Sequence, residues 1–278
     1  MLKRHERYFR IGLLPHIWCP GCGHGVITNA LVWAIDAARL DQDRTVIVSG
    51  IGCSSRAPGY LNFDTLHTTH GRALAFATGL KLARPELSVV VIAGDGDLAA
   101  IGGNHLIHAA RRNIDITTVC YNNSIYGMTG GQCSPLTPAG RVASTAPYGN
   151  VDRAFDMCEL VKAAGATYVA RSTTYHARQL VRLLTSALRH RGFAFVEVAS
   201  PCPTYYGRQN GFKNAVEMLE FYRQQSVSAE VAAGMTASER AGRLIVGELH
   251  RGDAPEFVSE YERLRATARG EGGGHGPL

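Results

Sequence analysis

Oxygen ligands gather at two points in the chain where apolar runs end. The run Ser88–Ala93 closes in Gly94-Asp95-Gly96-Asp97, and a second run closes in Asn122-Asn123. A hard dication such as Mg²⁺ takes carboxylate, amide and carbonyl oxygens and is commonly completed by phosphate. Glycines beside Asp95 let backbone N–H groups approach a phosphate with no Cβ in the way. The pattern reads as a diphosphate–Mg²⁺ cradle. Gly-Asp-Gly by itself is more often an ordinary turn, but here one βαβ return separates it from the Asn pair.

Sulfur supplies a second chemistry. Of seven cysteines, Cys19 and Cys22 form a Cys-x-x-Cys hook in a Gly-rich loop, while Cys53 and Cys202 follow candidate strand ends. Four thiolates suit a Cys₄ iron–sulfur cluster or a Cys₄ zinc site. Zinc ligands usually come as two close pairs, so one pair and two distant singles favour the cluster. A reduced redox pair is another reading of Cys19 and Cys22, weakened by the lack of a preceding strand. Cys120 and Cys158 read as core residues, and Cys133, in the loop after the Asn pair, as a non-ligand. His70 stands at a loop–helix junction, where it is either a capping or core histidine or a contact to diphosphate or substrate carboxylate. Arg56 and Arg72 suit anion contacts or plain solvation. His105 and His108, at i and i+3, have a spacing that metal ligands can use, but surface or packing roles are more common.

The elements that position these residues alternate. Strands are expected at Thr45–Ser49, from Ser88, before Asn122, at Thr167–Arg171 and at Phe193–Ala199. Helices are expected from Val26, over His70–Ala83, Asp152–Ala164 and Tyr175–Arg191, and over Asn214–Gln224. This alternation predicts an α/β fold with a doubly wound, mostly parallel sheet. Ile51–Arg56, Gly94–Asp97, Asn122–Tyr126 and Pro201–Tyr205 follow strands, and Cys19–Gly25 precedes a helix. In a parallel sheet all of them belong to the ligand-binding edge. Tyr126–Thr145 is a long, irregular loop of the kind that carries function.

Composition bounds the rest. The chain has 278 residues, 45% hydrophobic and 19% charged, which is ordinary for a globular protein. We divide it into an arm over 1–16 with little structure of its own, an α/β domain over 17–224, and a C-terminal extension over 225–278. Leu244–Leu249 is a small strand in that extension, and the terminal EGGGHGPL is expected to be disordered. No apolar run is long enough to cross a bilayer and no signal peptide is evident, so a cytoplasmic protein with no membrane role is expected. The net charge of +6 is scattered rather than interleaved with aromatics. That argues against nucleic acid and leaves room for an acidic protein partner or anionic substrates.

The GDG…NN pattern resembles the thiamine diphosphate motif. The stretches WCPGCGHG, SGIGCSSR, LHTTHGRALAFATGLK, GDGD…NN, YGMTGGQ-SP and SPCPTYYGR together resemble the β subunit of 2-oxoacid:ferredoxin oxidoreductases, closest to the 2-oxoglutarate type. They span Ile17 to Arg208. The resemblance implies a thiamine diphosphate-binding fold of the diphosphate type. It implies a [4Fe–4S] cluster on Cys19, Cys22, Cys53 and Cys202, and Mg²⁺ on Asp95, Asn123 and the Ile125 carbonyl. Ile51, Gly52, Cys53, Ser54 and His70 would lie against thiamine diphosphate. Gly94, Gly96 and Asp97 would meet the diphosphate, with Gly127 and Met128 closing the other side.

The implied reaction is CoA-dependent oxidative decarboxylation of 2-oxoglutarate, or its reverse, with ferredoxin as electron acceptor. The expected assembly is an α2β2 heterotetramer, in which the α subunit brings the pyrimidine-side domain and an activating glutamate. Some relatives carry a lysine at the position of Gly130, which leaves pyruvate or another 2-oxoacid as an alternative substrate. The competing readings are a cluster-free thiamine diphosphate decarboxylase or ligase and a zinc-stabilised, non-catalytic binding module.

Overall fold

The computed structural model describes residues 5–270. Eight strands share one sheet: β1 (Thr45–Ser49), β2 (Asp64–His67), β3 (Ser88–Gly94), β4 (Thr117–Asn122), β5 (Tyr168–Thr173), β6 (Ala194–Ala199), β7 (Ser226–Ser228) and β8 (Leu244–Arg251). Their order across the sheet is β2-β1-β3-β4-β6-β5-β8-β7. Neighbours run parallel except β5 and β8, which are antiparallel.

The longer helices are α1 (His24–Ala38), α2 (Ala73–Ala83), α3 (Gly103–Arg111), α4 (Met157–Ala163), α5 (Ala177–Arg189), α6 (Ala215–Gln225) and α7 (Phe257–Ala268). The period of two along each strand sorts the core into two layers. Val90 and Ile92 of β3 face Ile27, Leu31 and Ile35 of α1 and Leu180 and Leu184 of α5. Val89 and Val91 face Leu74 of α2, Leu106 of α3 and Val161 of α4. The sheet is therefore covered on both sides, as a buried parallel sheet requires.

Local chemistry moved several boundaries. Helix α2 begins at Ala73 rather than His70, because Gly71 sits at φ +73° and gives its N–H to Asp97 Oδ1 at 2.6 Å. Helix α4 begins at Met157 rather than Asp152, because Asp156 is extended and caps the N–H groups of Cys158 and Glu159. Strand β2 is not among the strands expected from the sequence. It is an edge strand with all four residues exposed, so it shows no apolar alternation. Helix α7 was not foreseen either; it lays Phe257 and Val258 on the second core layer.

The arm is pinned to the domain rather than loose. Tyr8 is buried and stacks on Phe63 at 5.6 Å, and Phe9 bridges to Leu61. Residues beyond 224 continue the same sheet through β7 and β8. The EGGGHGPL segment lies outside the described residues. Among the described residues no helix is long and apolar enough to cross a membrane.

Candidate active site

Strands β1, β3, β4 and β6 are consecutive, parallel neighbours. The loops after their carboxyl ends therefore emerge side by side, and β2, parallel to β1, delivers the His70 turn to the same edge. Two adjoining cavities result. The larger, of about 290 Å³, is lined by Ile51, Gly52, Cys53 and Ser54 after β1 and by His70 after β2. Gly94, Asp95, Gly96 and Asp97 of the β3 end, and Asn123, Ile125, Gly127 and Met128 after β4, complete its expected lining. The smaller, of about 90 Å³, is lined by Cys19, Cys22, Cys53 and Cys202 together with Arg56. Cys133 lies elsewhere, beside Ser134, and Cys120 and Cys158 are buried in the second core layer.

Asp95 is 2% exposed. Burial raises its pKa to about 7, opposed by the Ser134 hydroxyl and the N–H groups of Asp95, Asn123 and Gly96. Its hydrogen bonds thus come from a hydroxyl and amides rather than from a basic side chain. A buried carboxylate in that condition gains strongly from a cation. Asp97 Oδ1 accepts from Gly71 N and stands 2.7 Å from His70 Nδ1. Its Oδ2 is buried without a hydrogen-bond partner among the described residues. Burial also holds the Asp97 carboxyl above its ordinary pKa, against the pull of Gly71 and His70.

The β4 loop is turned by Ser124 at φ +60°. Asn122 Oδ1 accepts from Ser124 N at 2.9 Å, and Asn122 Nδ2 donates to Glu197 Oε1 at 2.6 Å. Glu197 in turn accepts from Arg171 Nε at 2.7 Å. This buried chain holds the turn that brings Asn123 and Ile125 to the cavity. Gly96 is needed where it stands, because a Cβ there would lie 2.3 Å from the Tyr126 ring, whose hydroxyl donates to Gly96 O at 3.1 Å.

In the smaller cavity, burial raises the thiol pKa to about 12 at Cys22 and about 11 at Cys53, and raises it at Cys202. A Cβ on Gly127 would stand 3.6 Å from both Cys53 Sγ and Cys202 Sγ. A single tetrahedral zinc with Zn–S of about 2.3 Å holds its sulfurs roughly 3.8 Å apart. Among the described residues, the one group of three or more metal-type side chains with ligand atoms mutually within 4.8 Å is Asp156, Cys158 and Glu197. The four cysteines are more widely set than one ion needs. The Asp156 group is already served by Arg171, which pairs with both of its carboxylates.

The sequence reading missed His24 and Tyr121, which line the larger cavity, and Ser134, which holds Asp95. His24 carried a usable signal, since it extends the hook to Cys-x-x-Cys-x-His. Ser134 carried none beyond its place in the long loop. Arg72 gives its Nη1 to the His70 carbonyl at 2.8 Å. His105 and His108 line neither cavity.

The family model described as "Thiamine pyrophosphate enzyme, C-terminal TPP binding domain" matches residues 50–198. The 2-oxoglutarate synthase subunit KorB of Methanocaldococcus jannaschii is 52% identical over 265 residues, covering 95% of this chain and 98% of that one. Its counterpart in Methanothermobacter thermautotrophicus is 56% identical over 254 residues, covering 91% and 89%. Among solved structures, the 2-oxoglutarate:ferredoxin oxidoreductase from Magnetococcus marinus, with 2-oxoglutarate, coenzyme A and succinyl-CoA bound, superposes with a TM-score of 0.85 at 36% identity. That match covers 95% of this chain and 90% of the other. The conjunction of one parallel-sheet edge, a GDG…NN cavity and relatives matched over nearly their whole length has one reading: this chain is a β subunit of the 2-oxoacid:ferredoxin oxidoreductase family.

Proposed function

We propose that the chain holds thiamine diphosphate through Mg²⁺ in the larger cavity and a [4Fe–4S] cluster in the smaller. With an α subunit it would form an α2β2 enzyme that converts 2-oxoglutarate and coenzyme A to succinyl-CoA and CO2, passing electrons to ferredoxin, or runs the reverse carboxylation. The observation that carries this reading is the shared wall: Cys53, Asn123, Gly127 and Met128 line both cavities. A carbon-centred oxidation and a one-electron relay are best separated by as little protein as that.

The residues fit the groups. Asp95, Asn123 and the Ile125 carbonyl would hold Mg²⁺, which supplies the positive charge that buried Asp95 lacks. Gly94, Gly96 and Asp97 border the space for a diphosphate. Four cysteines spaced too widely for one zinc suit a polynuclear cluster, which speaks against a zinc-stabilised binding module. Bound thiamine diphosphate supplies the electron sink for decarboxylation, and a cluster takes up electrons singly.

The side chains around that space have defined tasks. With Asp97 accepting at Nδ1, His70 offers Nε2 to the cavity, oriented toward cofactor or substrate. Tyr121 and Tyr126 form part of the cavity wall. No glutamate lines the cavity among the described residues, which fits an activating glutamate on the α subunit. Seven unpaired cysteines fit a reducing, cytoplasmic setting. The choice of 2-oxoglutarate rests on the KorB relatives and the Magnetococcus enzyme. Gly130 sits at φ +117°, where a lysine would be strained.

The test is anaerobic co-purification with the α subunit, followed by ferredoxin reduction across a panel of 2-oxoacids with coenzyme A. Turnover is expected with 2-oxoglutarate in preference to pyruvate, and only in the complex. A pyruvate preference would overturn the substrate assignment. Turnover by this chain alone would overturn the shared site.

A further inference from the structure

We propose that His24 is a positioning residue that sets the reduction potential of the cluster, by donating its Nδ1–H to Cys22 Sγ at the partition between the two cavities. The inference rests on the cluster reading above and extends it to a residue outside the ligand set. His24 Nδ1 lies 3.0 Å from Cys22 Sγ. A sulfur bound to iron has no proton to give, so the hydrogen in that contact belongs to the imidazole. Such a bond withdraws charge from the sulfur. It favours the reduced, more negative cluster and raises its potential.

The ring cannot easily turn away. It is 1% exposed and stacked between Tyr121, at 5.3 Å and 18°, and Trp18, at 6.0 Å and 24°. Tyr121 is itself held through its hydroxyl, 3.1 Å from Thr28 Oγ1. Trp18 is held through Nε1, which donates to the Cys53 carbonyl at 2.7 Å. One clamp therefore ends on the loop that carries Cys53 and the other on the first turns of α1, the helix that begins at His24 itself. His24 also lines both cavities, so the donor to the cluster ligand stands beside the space assigned to thiamine diphosphate.

The experiment uses the anaerobically purified complex with the α subunit, as wild type, His24→Phe and His24→Asn. Phenylalanine keeps the aromatic packing and removes the donor; the asparagine amide nitrogen reaches the place of Nδ1. Iron and acid-labile sulfide are measured first, then the potential by redox titration followed by EPR. His24→Phe is expected to shift the one-electron equilibrium toward the oxidised cluster at least tenfold, about 59 mV, and His24→Asn to restore most of it. A His24→Phe complex with full iron and an unchanged potential would overturn the inference while leaving the cluster reading intact. A wild-type complex without iron would overturn both. Should His24→Phe fail to assemble, pulsed EPR on wild-type enzyme labelled with ¹⁵N-histidine decides: coupling from a ring nitrogen to the reduced cluster is expected, and its absence overturns the inference.

Discussion

The two cavities share a wall but are built on opposite principles. The larger is tied together by the chain's own hydrogen bonds. Ser134 holds Asp95, Gly71 and His70 hold Asp97, Tyr126 holds Gly96, and Asn122 with Glu197 holds the turn before Ile125. In the smaller, the backbones are drawn close, with Gly23 N donating to Pro201 O at 3.2 Å and Trp18 to the Cys53 carbonyl. At Cys22, Cys53 and Cys202, however, burial raises the thiol pKa and so opposes ionisation. On the proposed cluster reading, metal would displace the thiol protons and complete the ligand geometry on binding. One site is a cradle prepared in advance; the other is a set of ligands gathered and waiting.

That contrast predicts separable losses. Cys22→Ala and Cys202→Ala, in the complex, are expected to abolish the cluster and reduce turnover to the assay background. Thiamine diphosphate affinity should stay within about threefold, because the substituted atoms do not line the larger cavity. Cys53→Ala is the exception, since Cys53 lines both cavities, and should weaken cofactor binding as well. Iron analysis and calorimetry check this. Cofactor affinity lost equally in all three variants would show one cooperative site rather than two.

The converse variant has the next largest effect. Asp95→Asn keeps the shape and removes the charge, so Mg²⁺-dependent thiamine diphosphate binding should weaken on the order of a hundredfold, with iron content unchanged. Ser134→Ala removes the donor to Asp95 and should weaken cofactor binding by roughly tenfold, in line with about 1.5 kcal/mol for a hydrogen bond to a charged group. A titration of cofactor at fixed Mg²⁺, and of Mg²⁺ at fixed cofactor, separates metal loss from cofactor loss in both.

The legibility of the molecule in its sequence follows the same divide. Apolar strands such as Ser88–Ala93 and Thr45–Ser49 are buried on both faces and announce themselves by composition. The loops after them then had to share an edge, which is why residues as distant as Cys19 and Cys202 could be assigned to one site. Strand β2 was illegible because its residues are solvent-exposed and its place is fixed by pairing with β1 alone. Ser134 was illegible because its role depends on where a long loop returns, and no periodicity encodes that. The start of α2 was misplaced because the Gly71 turn is dictated by Asp97, which comes later in the chain. His24 was within reach, two residues after Cys22, but its stacking on Tyr121 depends on a strand distant in sequence.

The smallest expected effect gives the finest test of the prepared cradle. Tyr126 contributes to the larger cavity in two ways: its ring fills the space that a Cβ on Gly96 would take, and its hydroxyl donates to the Gly96 carbonyl. Tyr126→Phe keeps the ring and removes only a neutral hydrogen bond, worth about 0.5–1.5 kcal/mol. If the cradle is fixed mainly by packing and by the Asp95 and Asp97 tethers, cofactor affinity should fall by no more than about tenfold and iron content should be untouched. A larger loss would mean that the Gly94–Asp97 turn is held in place by Tyr126, and that the β4 loop, rather than β3, sets the diphosphate geometry. The same measurement on Gly96→Ala separates the two contributions, since there the ring must move while its hydroxyl remains.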